Sequence, residues 1–216
     1  MKSSKVYDLE LAKVKHYTNF PAMMPFVGPH YSDTDRMKIM LVGEINYLPP
    51  NCTVSENHKQ WYKSTQSNLN KKEIEWLHCR NLVESRSKSP GLMFYRKLEI
   101  EMSERLGISS QTKALSTIVY MNGFQRPLPQ SATSIKKFCR SIDIEIGVKT
   151  IDQVIDIMKP DVVLFISKLA WEKLGKRLAE KNLNKGVEFT CHSGMGGRYV
   201  RKKDYEHSVE KVKKLI

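Results

Sequence analysis

The sequence lacks any long apolar run. No segment of the 216 residues approaches the roughly 18 to 20 consecutive apolar residues that a membrane-spanning helix requires. The first residues, MKSSKVYDLELAK, also lack the apolar core of a signal peptide. We therefore expect no membrane partner and a cytoplasmic location, with the nucleoid or the nucleus as alternatives.

Cysteine is scarce and scattered. The four cysteines are Cys52, Cys79, Cys139 and Cys191. They form no CxxC pair, and such spacing in a chain of this size is typical of reduced thiols rather than of a disulfide framework. Two cysteines have a histidine beside them, but adjacent residues seldom bind one metal ion together. We expect neither a metal nor another cofactor.

Acidic residues are outnumbered by basic ones. The chain carries 36 Lys and Arg against 23 Asp and Glu, a formal net charge of +13. This excess favours a polyanionic partner, because basic side chains that neutralise phosphates release counterions. Nucleic acid, either DNA or RNA, is the leading candidate, and the chain is expected to be a monomer. The charge could instead serve solubility alone.

Three short runs rich in apolar and β-branched residues predict strands. They are 38–42 (KIMLV), 117–121 (TIVYM) and 162–166 (VVLFI), with a fourth strand expected at 187–190. Nearly continuous hydrophobicity is typical of parallel strands buried on both faces. Helical patterns occur at 93–107, 151–161, 168–181 after the N-cap Ser167, and 203–216. We predict an α/β protein: a single domain, 1–216, forming a three-layer α/β/α sandwich with a short, mainly parallel four-stranded sheet.

Residues 48–90 are polar, and we interpret them as a long insertion, either a lid or a binding loop, with partial disorder as the alternative. A helix is expected at 71–79. Three aromatic residues, Trp61, Tyr62 and Trp76, predict a small local core, with stacking on nucleic acid as the alternative. Upstream, His30 or Tyr31 could approach a pocket or belong to a surface loop.

Polar residues follow the predicted strands. Glu44, Asn46 and Tyr47 follow the first strand, Asn122 and Phe124 the second, and His192 the fourth. Ligands of open α/β sheets bind outside the carboxyl ends of the strands. These side chains are therefore candidates for one shared crevice, although Asn122 with Gly123 is also a common turn pair.

The order of these motifs resembles that of the uracil-DNA glycosylase superfamily. The matching stretches are GEINY (43–47), YMNGFQRP (120–127), IMKPDVVLFISKLAWEKL (157–174) and CHSGMGG (191–197). The resemblance extends over roughly residues 24 to 200 and depends on the order and spacing of the motifs. It implies hydrolysis of the N-glycosidic bond of uracil or another altered base, as in DNA repair by base excision.

The resemblance also implies roles for individual residues. Asn122 would read the base, because a carboxamide both donates and accepts hydrogen bonds. His192 would stabilise charge on the leaving base. Glu44 or Asn46 would position water or stabilise a cationic sugar.

Further residues would bind the substrate or the DNA backbone. The pocket lining would comprise Gly43, Tyr47, Phe124 and Ser193. The DNA contacts would come from Arg126, Met195, Arg198, Arg201 and Lys202, with Met195 as a wedge and the cations at phosphates.

The sequence departs from the family pattern at important positions. Ile45 stands where one form of the first motif has its catalytic aspartate, and Asn46 where it has proline. Ser193 replaces the proline after the histidine, and the cysteines do not have the spacing of an iron–sulfur cluster. A non-catalytic nucleic-acid-binding protein of the same fold is therefore an alternative. A nucleotide- or nucleoside-processing α/β enzyme is a further one.

Overall fold

The computed structural model describes residues 2–33, 37–84, 114–129 and 135–191. The helices predicted at 93–107 and 203–216 lie outside these ranges. So do six of the predicted site residues, namely His192, Ser193, Met195, Arg198, Arg201 and Lys202.

The described residues form an α/β protein with a five-stranded mixed sheet. Its strands are β1 (Phe26–Val27), β2 (Ile39–Leu48), β3 (Ile118–Pro129), β4 (Val162–Phe165) and β5 (Glu188–Cys191), in the spatial order β1-β3-β2-β4-β5. Strands β2 to β5 are parallel, whereas β1 is antiparallel to β3. The predicted number of four strands was therefore wrong. Two residues between Pro25 and Gly28 are too few to show a strand periodicity in the sequence.

Strands β2 and β3 extend well beyond their predicted ends. Pairing between β2 and β4 stops at Val42 and Phe165. Pairing between β2 and β3 continues to Leu48 and Pro129, with a shift of register between Ile45 and Tyr47. The segment GEINY, predicted to follow the first strand, is thus part of it. Its polar residues interrupt the apolar pattern without interrupting the hydrogen-bonded ladder.

The helices of the described residues lie between and before the strands. They are α1 (Asp8–Leu11), α2 (Lys15–Asn19), α3 (His58–Trp61), α4 (Lys71–Leu77), α5 (Cys79–Glu84), α6 (Ser141–Met158), α7 (Lys168–Ala170) and α8 (Lys176–Lys181), with a π-helical turn (Trp171–Gly175) joining α7 to α8. Short 3-10 segments occur at Pro21–Met23, Gln66–Asn68, Ala114–Thr117, Ile135–Lys137 and Leu183–Lys185. The predicted helix at 168–181 is confirmed, and Ser167 caps it by accepting from the Ala170 amide.

Helix α6 begins ten residues before the predicted start at 151. The run IDIEI alternates apolar and acidic residues, a pattern that favours a strand. Two local features favour the helix instead. The Asp143 carboxylate accepts from the Arg140 amide at 2.7 Å, which caps the first turn. At its other end the helix closes on Lys159 in the left-handed conformation, followed by Pro160, a combination that stops a helix.

Apolar side chains cover both faces of the sheet. On one face, strand residues such as Met40, Val119 and Val163 pack in a cluster that includes Ile151 and Val154 of α6. On the other, Leu41 and Tyr120 belong to a cluster with Cys79 and Val83 of α5. Helices on both faces are compatible with a three-layer α/β/α arrangement.

The insertion at 48–90 contributes to the first of these clusters. Trp61 is buried and stacks on Phe20, with ring centroids 4.4 Å apart. Trp61 is therefore a core residue, as predicted, but it packs in the main cluster rather than in a separate local core of the insertion. No helix among the described residues is both long and apolar enough to span a membrane.

Candidate functional site

Two polar side chains meet where the sheet changes its direction of winding. Strand β2 connects onward to β3 on one side, and its neighbour β4 connects onward to β5 on the other. Such a switch point forms the ligand crevice of open α/β sheets. Here the Ser167 hydroxyl, after β4, donates to Oε2 of Glu44 at 2.8 Å. A carboxylate and a hydroxyl therefore lie together at the switch point.

A second polar group lies on β2 and β3, at the level where Asn122 pairs with Gly43. Nδ2 of Asn122 donates to Oδ1 of Asn46 at 2.7 Å, and the Tyr120 hydroxyl donates to Oδ1 of Asn122 at 3.1 Å. All three residues are buried. A carboxamide has two N–H groups and two oxygen lone pairs. These bonds use one of each, so the Asn122 carboxamide keeps the capacity to donate once and accept once.

Gly43 makes room for this group. A Cβ atom on Gly43 would lie less than 3.0 Å from both Oδ1 of Asn122 and the Tyr120 hydroxyl. Gly43 and Asn122 are paired residues of β2 and β3, and paired side chains on one face of a sheet are close. A side chain at position 43 would therefore displace the carboxamide.

Tyr47 adds an aromatic wall to the acidic part of the site. Its side chain is half-buried. Burial raises the pKa of Tyr47, and the negative charge of Glu44 raises it further. This coupling indicates that the phenol and the carboxylate share one region, with the phenol in its neutral form.

The Gln125 side chain holds the backbone next to the Asn122 side chain. Its Nε2 donates to the backbone oxygens of Asn122 at 2.7 Å and Gly123 at 3.1 Å. The Gln125 carbonyl in turn accepts from Nε1 of Trp61 at 3.1 Å. The insertion thus braces the strand that carries Asn122.

Phe124 and Arg126 are placed differently from their predicted roles. Phe124 has no exposed surface and pairs with Ile45 in the ladder. Its ring is thus part of the apolar core, where it cannot stack on a base without a rearrangement. The predicted phosphate contact of Arg126 does not fit its environment either, because its side chain is only 2 % exposed.

The Arg126 guanidinium is held by internal acceptors. It forms a two-pronged ion pair with Asp143, with both N–O distances 2.8 Å, and donates to the backbone oxygens of Ser55 and Phe138. Burial alone would raise the pKa of Asp143, but the hydrogen bonds from Arg126 and the Arg140 amide hold it below its usual value. Arg126 is therefore a structural anchor.

The loop containing His30 and Tyr31 lies at the opposite end of the sheet. The His30 amide donates to the Ser116 carbonyl, before the start of β3. The Tyr31 hydroxyl donates to the carbonyl of Met158, the last residue of α6. Neither residue approaches the crevice: His30 is exposed, as expected of a surface loop, whereas Tyr31 is buried in the apolar core.

Sequence reasoning did not identify Tyr120 as part of the site, nor the bond from Ser167 to Glu44. Tyr120 lies in an apolar run and therefore resembles a core residue. Its position two residues before Asn122 was an available signal, because residues i and i+2 of a strand share a face. Ser167 was interpreted only as a helix cap, so its hydrogen bond to Glu44 was not considered.

No protein-family model and no curated protein matches the chain. Within the part of the chain that the structure describes, no group of three or more His, Cys, Asp or Glu side chains is arranged to hold a metal ion. The site is thus defined by its own geometry: a buried carboxamide pair and a glycine on β2 and β3, with a carboxylate and a phenol on β2 beyond the point where its pairing with β4 stops.

Proposed function

We propose that the protein is a DNA glycosylase of the uracil-DNA glycosylase-like type, which hydrolyses the N-glycosidic bond of uracil or another deaminated or altered base. The observation that carries this proposal is the Asn122 carboxamide, fixed by Tyr120 and Asn46 beside Gly43. A glycosylase reads an extruded base by the hydrogen-bonding edge of that base. One remaining donor and one remaining acceptor suit the edge of a pyrimidine.

Glu44 and Asn46 are the candidates for handling water. Glu44 lies at the switch point with Ser167, where its carboxylate can orient water or stabilise a cationic sugar. The half-buried Tyr47 would limit the size of the base. His192 follows Cys191, which pairs with Phe165 at the carboxyl end of β4. In this proposal His192 stabilises the charge on the leaving base.

Ile45 favours a second candidate, a non-catalytic nucleic-acid-binding protein. Its side chain is 6 % exposed and belongs to the apolar cluster. The position that would carry an aspartate in one form of the resembling family thus contributes to packing. Water activation then falls to Glu44 and Asn46, and without it the fold would bind a base but leave the bond intact.

An abasic-site assay separates the two candidates. The protein is incubated with duplex and single-stranded oligonucleotides carrying uracil, hypoxanthine or xanthine, and alkali then cleaves at abasic sites. Cleavage supports the glycosylase. Salt-sensitive binding without cleavage supports the non-catalytic protein, and failure to bind at low salt as well would leave a small-molecule enzyme.

Two variants assign the roles. Asn122→Asp replaces the whole Nδ2 group by a carboxylate oxygen, which removes both the remaining donor and the hydrogen bond to Asn46, and we expect excision to fall about 10²-fold or more. Asn184→Asp makes the same change at an exposed position and should leave the rate unchanged. Glu44→Gln should lower the rate with the affinity for DNA retained, against Glu180→Gln on exposed α8 as its control. Equal rates of excision for Asn122→Asp and wild type would contradict the proposal that Asn122 reads the base.

A further inference from the structure

A basic turn with an exposed aromatic ring lies between β3 and α6. The sequence is KKFCR, residues 136–140. Lys136, Lys137, Phe138 and Arg140 are all exposed, and 47 % of the Phe138 surface is accessible. We call Lys137, Phe138, Arg140 and the nearby Lys173 the KKFCR patch. None of these residues belongs to the site described above.

Hydrogen bonds to buried residues hold the backbone of this turn. Ile135 is fully buried, and its carbonyl accepts from the amides of both Phe138 and Cys139 at 2.8 Å. The Arg126 guanidinium donates to the Phe138 carbonyl at 2.8 Å. The backbone of Phe138 is thus anchored to the core while its ring faces outward. An exposed ring on a fixed backbone loses little conformational entropy when it binds a partner.

Positive charge converges on the same turn from a second element. The π-helical turn that carries Lys173 packs on α6, since Leu174 lies against Gly147. Burial raises the pKa of the Cys139 thiol, and the positive charges of Lys173, Arg126 and Arg140 partly offset that rise.

Beside Lys173 lies the exposed carboxylate of Glu172, 3.8 Å from the ammonium of Lys168. Asp143, the first carboxylate after the turn, is buried and paired with Arg126. It therefore adds little negative charge to the surface of the patch.

The patch also lies near the candidate site. Arg126, which holds Phe138, follows Asn122 on β3 by four residues, a distance of about 13 Å along a strand. A strand of nucleic acid whose base enters the site would have its neighbouring nucleotides within this distance.

We infer that the KKFCR patch binds the unpaired nucleotides of a single-stranded nucleic acid next to the candidate site. Phe138 stacks on a base, while Lys137, Arg140 and Lys173 contact phosphates. Basic residues interleaved with an exposed aromatic ring are the features that single-strand binding requires. The inference rests on the proposed nucleic-acid substrate and assigns a surface that contacts it.

Two pairs of variants test the surface, with binding of a fluorescent thymidine oligonucleotide measured against salt concentration. Lys137→Gln/Lys173→Gln should reduce the slope of log K against log salt by about 1.4, since each lost contact to a single strand removes about 0.7. The control Lys5→Gln/Lys159→Asn removes two exposed charges from the opposite end of the sheet and should leave the slope unchanged.

Phe138→Ser should weaken binding of the same oligonucleotide about ten-fold without changing the salt slope, because it removes a stacking surface but no charge. Leu183→Ser, which truncates a side chain that is 78 % exposed, is its control. Unfolding curves for all variants check that these surface substitutions leave the fold intact.

The outcomes are distinct from those of the abasic-site assay. If the wild type binds the oligonucleotide but excises no base, and the patch variants bind less well, the inference stands and the glycosylase proposal fails. If the wild type excises bases while the patch variants bind like their controls, the inference alone is overturned. Failure of the wild type to bind any oligonucleotide also overturns it.

Discussion

Asn46 and Asn122 are joined by a 2.7 Å hydrogen bond although 76 residues separate them in the chain. In a regular strand, residues three apart point to opposite faces. Yet Asn46 reaches the side chain that lies against Gly43. The shift of register between Ile45 and Tyr47 accounts for this, because such an irregularity can redirect a side chain.

Replacement of Tyr120 by Phe tests the stability of this cluster. Tyr120→Phe leaves the buried oxygen of Asn122 without its hydroxyl donor, and we expect the free energy of unfolding to fall by about 1–2 kcal/mol. Tyr17→Phe is the matched control. Among the described residues, the buried Tyr17 hydroxyl has one hydrogen-bond partner, the Met121 sulfur at 4.0 Å. Urea unfolding measures both, and equal losses would contradict a specific role for the Tyr120 hydroxyl.

Substitution of Gly43 by alanine should disturb the same cluster by crowding. The atoms that a new Cβ would meet are the ends of the Asn122 and Tyr120 side chains, which can rotate away. We expect Gly43→Ala to fold but to have a free energy of unfolding lower by about 1–3 kcal/mol. In this background Tyr120→Phe should lower the free energy of unfolding much less than it does in the wild type. Gly28→Ala is the comparison, because its Cβ would meet backbone atoms of Leu115 and Ser116 and should cost more stability. A full Tyr120→Phe effect in the Gly43→Ala background would contradict this account.

Hydrophobic pattern identified the main strands and the last described helix. It did not give the lengths of β2 and β3, because these depend on pairing between segments more than seventy residues apart. It also missed the first half of α6, where capping by Asp143 outweighs the alternating pattern of IDIEI. Such contacts are visible only after the chain has folded.

In the candidate site, too, the sequence pattern predicted some features, and others depend on contacts that form in the folded chain. Position after an apolar run was enough to select Glu44, Asn46 and Asn122, and all three lie in β2 and β3 just beyond the level where the pairing of β2 with β4 stops. Position in the sequence did not reveal which of the selected side chains are buried. Arg126 is a cation in the sequence and thus a candidate for binding phosphate, but its ion pair with Asp143 turns it inward.

Glu44→Gln should lower the pKa of Tyr47. Burial raises this pKa, and the charge of Glu44 raises it further, so removal of the charge leaves only the effect of burial. Tyrosine ring signals in an NMR titration follow the change. Glu180→Gln, on the exposed surface of α8, should leave Tyr47 unaffected. An unchanged Tyr47 in Glu44→Gln would mean that the two side chains do not share one region in solution.

His16 should make the protein less stable in mild acid. Its imidazole is buried beside Phe20, and Nε2 has no hydrogen-bond partner among the described residues. Burial lowers the pKa of His16 to about 3, whereas a histidine in an unfolded chain titrates near 6.5. Between these values the unfolded chain binds the extra proton. Stability therefore falls as the pH falls through this window, by up to about 1.4 kcal/mol per pH unit.

His16→Leu removes this contribution. We expect the variant to gain stability relative to wild type as the pH is lowered from 7 to 4, as measured by urea unfolding at each pH. Phe20→Leu perturbs the same apolar cluster without removing a titrating group, and its difference from wild type should stay nearly constant over this range. If the His16→Leu difference were equally constant, the imidazole would be accessible to protons in the folded protein.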